Sequence, residues 1–321
     1  HVAQILYSNS DFRFWDAHKK LDVLHTELES GCSSFRICRS RADIEAVLES
    51  DKVGIFATVD GGRPLQGKKN LNLLSSLRSL YRLGLRGLQL TGNGRNRLGD
   101  GVAQERSRGR LTSFGLQVVH EADRLGILLD SAQLSNHGFY DLIEQTENPV
   151  VDSHSCAAAV SAHPRNIDDE RIRLIGEKGG VVGISFLAAL LAHESPRATT
   201  EDLLRHIDHV VETAGIEHVA LGPDYSAYTT PACRDRLQGY ANIGPNYCDF
   251  DRLTPTQSEK YPGWIEGIYY GIRESDYVAG PETHESFPMV EELLLNHGYS
   301  ATELEKILGG NMLRVYREIL Q

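Results

Sequence analysis

"GILLDSAQLS" (126–135) and, after a predicted helix carrying His137, "PVVDSHSCA" (149–157) are the stretches whose reading decides the fold. Each is a short apolar run that ends in small and polar residues, the profile of a buried strand whose last residues reach a site. Neither alternates apolar with polar, so both faces are covered, as in a parallel sheet flanked by helices. The two tips differ in one respect. The second ends on a histidine, His154, whereas the first offers a glutamine, Gln133.

The same pattern repeats outward in both directions. Further strands are read at "VAQILYS" (2–8), "VGIFATVD" (53–60), "LRGLQLT" (85–91), "GVVGISF" (180–186) and "HVALGPD" (218–224). Between them lie amphipathic stretches such as "SFGLQVVHEADRLG" and "TEDLLRHIDHVVETAG", several ending in a glycine suited to a helix C-terminus (Gly84, Gly126, Gly215). Alternation of this kind predicts an α/β fold, a (β/α)8 barrel rather than a doubly wound sheet, since no GxGxxG follows the first strand. A single domain over 1–321 is expected, with an aromatic-rich insertion at 225–284 as a lid over the barrel mouth and purely helical residues 285–321.

Bulk properties narrow the function. The 321 residues carry a net charge of −11, which argues against a nucleic-acid or anionic-membrane partner, and no apolar run is long enough to span a bilayer. No signal peptide is read at the start, so the compartment stays open between cytoplasmic and exported. Five cysteines without a CxxC pair do not make a zinc-finger or disulfide framework; Cys233 and Cys248 could pair in an oxidising compartment, free thiols being the plainer reading. A homodimer is the default expectation for oligomeric state.

Polar residues at strand C-termini face the active site of such barrels. They are Asp60, Gly92 within Thr91–Asn93, Gln133, His154 and Asp224, with Arg165 just beyond in "AHPRN". Each alone could simply satisfy nearby backbone groups. Together they read as a small-molecule pocket. Other candidates are weaker. His206 and His209 in "HIDH" fall on a helix and read as a packed or solvated face; His163 reads as a turn residue. Cys156 beside His154 raises a nucleophile–base pair, but nothing in the sequence orients the histidine.

Six ordered blocks carry a family resemblance: "VDGG" (59–62), "LYRLGLRGLQLTGNGRN" (80–96), "GRLTSFGLQVVHEADRLGILLDSAQLS" (109–135), "PVVDSHSCA…HPRN" (149–166), "LLRHIDHVVETAGIEHVALGPDY" (203–225) and "ILGGNMLRVY" (307–316). They resemble the renal or membrane dipeptidases and their bacterial relatives. The resemblance implies a two-zinc centre that hydrolyses dipeptides. It places a bridging carboxylate at Asp60, where the family has glutamate, and metal-binding histidines at Gln133 and His154. It puts a histidine that steadies the tetrahedral intermediate at Gly92, and substrate contacts at Arg165 (carboxylate) and Asp224 (amine).

Where the chemistry lies, the match is poor. Asp60 is one methylene short, Gln133 offers a neutral amide in place of imidazole, and Gly92 has nothing to donate to an oxyanion, a contact worth about 3 kcal/mol. The family's His-x-Asp strand is not in the sequence; an omitted leading strand is expected rather than an open barrel. Asp60 and His154 are the remaining metal-ligand candidates, too few for tight binding, so one zinc ion or none is expected. The leading reading is a divergent enzyme acting on a peptidic or amino-acid-derived molecule, with His154 and Asp60 catalytic and Arg165, Asp224, Gly92 and Gln133 binding substrate. The alternatives are a zinc dipeptidase with ligands outside this sequence, and a noncatalytic binding protein.

Overall fold

The computed structural model describes residues 2–8, 14–65, 73–192, 198–225, 277–281 and 286–320. Two compact units emerge: His1–Ser153 with Arg173–Val181 and Gly309–Gln321, and His154–Ile172 with Val182–Leu308.

The first unit is a parallel sheet with helices between its strands. Its strands are β1 (Val2–Ser8), β2 (Phe35–Ile37), β3 (Val53–Asp60), β4 (Leu85–Gln89), β5 (Leu128–Asp130) and the start of β6 (Val150–Ser155). Hydrogen bonding runs in the order β1-β3-β4-β5-β6, with β2 added on β3. Register is continuous along β1 and β3, from Val2 opposite Gly54 to Ser8 opposite Asp60. The short β2 corrects the sequence count of seven strands; three residues of "FRI" with a central arginine carry no strand signal of their own.

Helices α1 (Phe14–Glu29), α2 (Arg41–Leu48), α3 (Leu73–Arg82), α4 (Ser113–Leu125) and α5 (Asn136–Gln145) connect these strands. Local chemistry sets their ends. The Thr112 side chain accepts from Gly115 N and that of Ser135 from Gly138 N, capping α4 and α5, each cap contributing about 1 kcal/mol. Because α5 is capped by Ser135, the chain must finish β5 and turn within the four residues that include Gln133. Packing is tight behind the sheet: Phe56 of β3 stacks on Tyr316 at 3.8 Å and 9° between planes, both rings buried.

The second unit takes the end of β6, then β7 (Val181–Ile184, beginning in the first unit) and β8 (Val219–Leu221). Within it β7 and β8 are parallel, with Val182 opposite Val219, and Ser185 N bonds to Ser155 O at 2.9 Å. Helix α6 (Asp169–Glu177) begins here, followed by α7 (Ala188–Leu191), α8 (Thr200–Ala214), α9 (Pro288–His297) and α10 (Ala301–Glu305). A capping box joins Thr199 and Asp202 at the start of α8. A π turn (Lys306–Gly310) leads into α11 (Asn311–Ile319), so the helical character expected at the C-terminus is present. The expected lid at 225–284 lies outside the described residues except for Tyr225 and 277–281, as do Cys233 and Cys248. Among the described residues no helix is long and apolar enough to cross a membrane.

Candidate functional site

The first unit gathers three of the sequence candidates. Asp60 closes β3, and Gly61 follows with φ 79°. A Cβ built on Gly61 would stand 3.3 Å from Gly92 N, so the turn after β3 lies directly against the turn after β4. On its other side, a Cβ on Gly92 would stand 3.5 Å from Gln133 Oε1. The amide of Gln133 therefore borders the space that a side chain at 92 would occupy. Gln133 itself is left-handed, φ 64°, a conformation that costs a residue with a Cβ about 1 kcal/mol.

Neighbouring loops hold that geometry in place. Gln133 O accepts from Val102 N at 2.8 Å, and Asn93 O accepts from Ala103 N at 2.9 Å. Gly101 has no room for anything larger: a Cβ there would fall 2.0 Å from Gly92 O. Beside the Asp60 carboxylate, neutral amides are prominent among the polar groups here. Gln89 donates to Thr91 O at 2.7 Å, while Gln89 Oε1 and Asn93 Oδ1 have no hydrogen-bond partner among the described residues.

Two buried carboxylates were not singled out by sequence. Asp130 Oδ1 accepts from Ala132 N (2.9 Å) and Ser153 N (3.0 Å), and Oδ2 from Ser153 Oγ at 2.5 Å. Asp152 Oδ2 accepts from Ser131 Oγ at 3.1 Å. These reciprocal Asp–Ser contacts lock the ends of β5 and β6 together. The repeated Asp-Ser pair in "LLDSA" and "VVDSH" is the signal that could have found them.

In the second unit the structure brings His154 and Arg165 together. His154, at 1% exposure, is the last residue but one of β6, and its carbonyl accepts from Arg165 Nη2 at 3.0 Å. Arg165 N donates to His163 Nδ1 at 3.1 Å, so His163 is a turn residue as expected. Asn166 Nδ2 ties the same loop to Ser161 O (2.7 Å) and Leu190 O (2.8 Å). Arg165 is 7% exposed and pairs with no carboxylate among the described residues. Its Nε, Ser155 Oγ and Asn166 Oδ1 lack partners there as well. Asp224 stands three residues beyond β8 with φ 59°, its carbonyl accepting from Tyr277 OH at 2.7 Å. Next to it Tyr225 packs edge-on against Phe186, ring centres 5.9 Å apart.

His206 is fully buried, Nδ1 accepting from Ala157 N (3.1 Å) and Nε2 donating to Leu191 O (3.0 Å). Burial pushes its pKa down to about 4. His209 pairs with Asp169 at 2.7 Å. His206, then, has no ring nitrogen to spare for a metal, and the Nε2 of His209 is taken by Asp169. Buried Cys156 directs its thiol at Ser185 O (3.5 Å).

Residues 6–241 match the membrane dipeptidase family, peptidase family M19. The chain belongs to that family. A Klebsiella pneumoniae protein encoded in the pqqA 5′ region is 30% identical over 222 residues, 66% of this chain and 80% of that protein. The dipeptidase verJ of Clonostachys rogersoniana is 29% identical over 208 residues, 64% of this chain and 52% of its own length; the chain thus spans about half of that enzyme. A metallopeptidase of Rhodobacter sphaeroides, solved with a phosphinate mimic of the dipeptide L-Ala-D-Ala, shares the fold. Its TM-score is 0.72 at 22% identity, covering 96% of this chain and 76% of that one. The α/β barrel class read from the strand–helix alternation is thus the family's fold.

Membership raises the question of zinc, and the donor set answers it unit by unit. The first unit offers Asp60 with the neutral amide of Gln133; the second offers His154. No group of three His, Cys, Asp or Glu side chains suited to a metal ion is formed among the described residues. Imidazole and thiolate are what zinc selects, and an amide oxygen is a poor substitute. Among the described side chains no three-ligand zinc set is assembled.

Proposed function

We propose that this protein acts on a peptidic or amino-acid-derived small molecule without the two-zinc centre of its relatives. Family membership, the Clonostachys dipeptidase and the dipeptide mimic bound to the Rhodobacter enzyme support the substrate class. The observation that carries the reading is Arg165: a buried guanidinium held on the His154 carbonyl, with Nε unpartnered and no carboxylate beside it among the described residues. A buried cation left in that state calls for an anion, and the carboxylate of a peptide is the match for its planar fork.

In this reading Arg165 anchors the ligand carboxylate, Asp224 takes its amine and His154 moves the proton. Asp60 supplies a carboxylate in the first unit. There the space beside Gly92 is bordered by the Gln133 amide. Elemental mass spectrometry of the purified protein before and after zinc loading, together with turnover of L-Ala-D-Ala and binding of its phosphinate mimic, tests this. We expect at most one zinc per chain, and mimic binding unaffected by chelator. Two zinc ions per chain with zinc-dependent dipeptide hydrolysis would return the protein to its family's ordinary chemistry and overturn the reading.

A further inference from the structure

Arg86 is a buried cation of the first unit that the candidate site does not use. It is 6% exposed and stands second in β4. Asp60 and Gly92 lie at the C-terminal ends of β3 and β4, two parallel strands, so Arg86 belongs to the opposite edge of the sheet.

No carboxylate is hydrogen-bonded to its guanidinium among the described residues. Nε donates to Arg39 O at 2.7 Å, and Nη1 to Tyr81 O (2.9 Å) and Leu85 O (2.8 Å), with the Tyr81 ring 4.0 Å away. Those bonds use three of the five donor hydrogens. The two on Nη2 bond nothing among the described residues, and Nη2 is not sealed from solvent. Carbonyls satisfy the hydrogen bonds of a buried cation but do not neutralise its charge.

A second guanidinium without an ion pair among the described residues shares this place. Arg39 is exposed, and its stem crosses the turn that leads into β4. A Cβ on Gly84, φ 113°, would stand 3.6 Å from Arg39 Cδ. The carboxylate that reaches this loop, Asp43, is already taken, by Arg36 Nε at 2.9 Å and by the backbone N–H groups of Arg39 and Ser40 at 3.0 Å each. Burial lowers the pKa of Arg86; Tyr81 and Asp43 offset this, and the Arg39 charge adds to it. The two cations repel one another, and an anion shared by them would relieve that repulsion.

We propose that Arg86 and Arg39 form a binding site for a phosphate group, on the edge of the sheet away from Asp60 and Gly92. Two positive charges and an open Nη2 match a phosphate dianion better than a single carboxylate. The site stands independently of the proposed function. Titration calorimetry on the full chain at fixed ionic strength, with inorganic phosphate, phenyl phosphate and acetate, tests it. Phosphate should bind with a Kd of about 1 mM or tighter, and acetate about tenfold more weakly. Arg39→Glu, a change at an exposed side chain, should weaken phosphate about tenfold. Arg86→Lys keeps the charge but loses the fork, so it should weaken phosphate about threefold with an unaltered circular dichroism spectrum. Lys52→Glu, an exposed charge reversal elsewhere, should leave the affinity where it was. Tighter binding of phenyl phosphate would assign the site to a phosphate carried on a larger molecule, and tighter binding of inorganic phosphate to the free ion; either order supports the site. No phosphate binding by the wild-type chain, or full affinity in Arg39→Glu, overturns it. An equal loss in Lys52→Glu overturns it too, as general charge attraction. Each of these results leaves the dipeptide reading untouched.

Discussion

The ends of β5 and β6 are built from similar sequence, an Asp-Ser pair with a polar residue two places on at Gln133 and directly after at His154, yet they support opposite chemistry. After β5 the chain turns through a left-handed Gln133 and is held by backbone bonds from Val102 and amide contacts around Gly92. None of those groups titrates. After β6, buried His154 carries Arg165 on its carbonyl, and the following loop hangs on His206 through the Ala157 amide. Beyond Asp130 the turn after β5 is held by neutral groups, whereas the end of β6 holds buried ionisable ones. Strand geometry alone therefore does not preserve chemistry, which rests on whether each tip keeps a group that water would otherwise solvate.

The largest break in that comparison should come from Arg165. Replacing it with alanine removes the ligand's cation and the bond to His154 O, and losing one member of a buried charged hydrogen-bond pair typically costs 2–5 kcal/mol. Binding of the phosphinate dipeptide mimic should weaken by about a hundredfold or more, read by calorimetry with circular dichroism to confirm folding. Arg165→Lys keeps the charge but not the fork, so it should recover only part of the loss. Full affinity in Arg165→Ala would mean that the guanidinium is structural.

Acid should separate the two ends next. His206 has its folded pKa lowered by burial to about 4 against an ordinary 6.5. The unfolded chain then binds the extra proton first, so the stabilisation is complete above about pH 6.5 and is lost as pH falls through 4. The full loss is about 3 kcal/mol. Hydrogen exchange of the Ala157 amide should quicken over that window while that of Val102, bonded to Gln133 O, does not. His206→Gln, which can keep both bonds, should flatten the pH dependence. Equal acid sensitivity at both amides would erase the distinction.

Much of this was legible in the sequence, and what was not has a physical reason. Apolar runs with polar tips placed seven strands, because burial on both faces leaves no alternative composition. The three-residue β2 escaped, since its pairing with β3 comes from position and not from its own residues. Gly92 and Gln133 could be read as departures from a family pattern, but not as neighbours, which depends on how two turns stack. The left-handed backbone of Arg108 is invisible in a string of letters: nothing in "SRGR" says which residue turns that way. Asp130 and Asp152, not singled out in the sequence, prove to be fasteners between strands.

The smallest effect, and the one that bears most directly on the neutral end, concerns Gln133. Its left-handed backbone should relax in Gln133→Gly, which removes a Cβ penalty of about 1 kcal/mol but enlarges the entropy of the unfolded chain by a similar amount. Global stability should therefore shift by less than about 1 kcal/mol, measured by urea denaturation. Ligand affinity is the informative readout. If the amide beside Gly92 contacts the ligand, mimic binding should weaken about three- to tenfold, the value of one neutral hydrogen bond. Gln133→Asn, short by a methylene, would not restore it although asparagine accepts the left-handed turn easily. An unchanged affinity in both variants would show that Gln133 only shapes the turn, and that the chemistry of this protein resides at the β6 end.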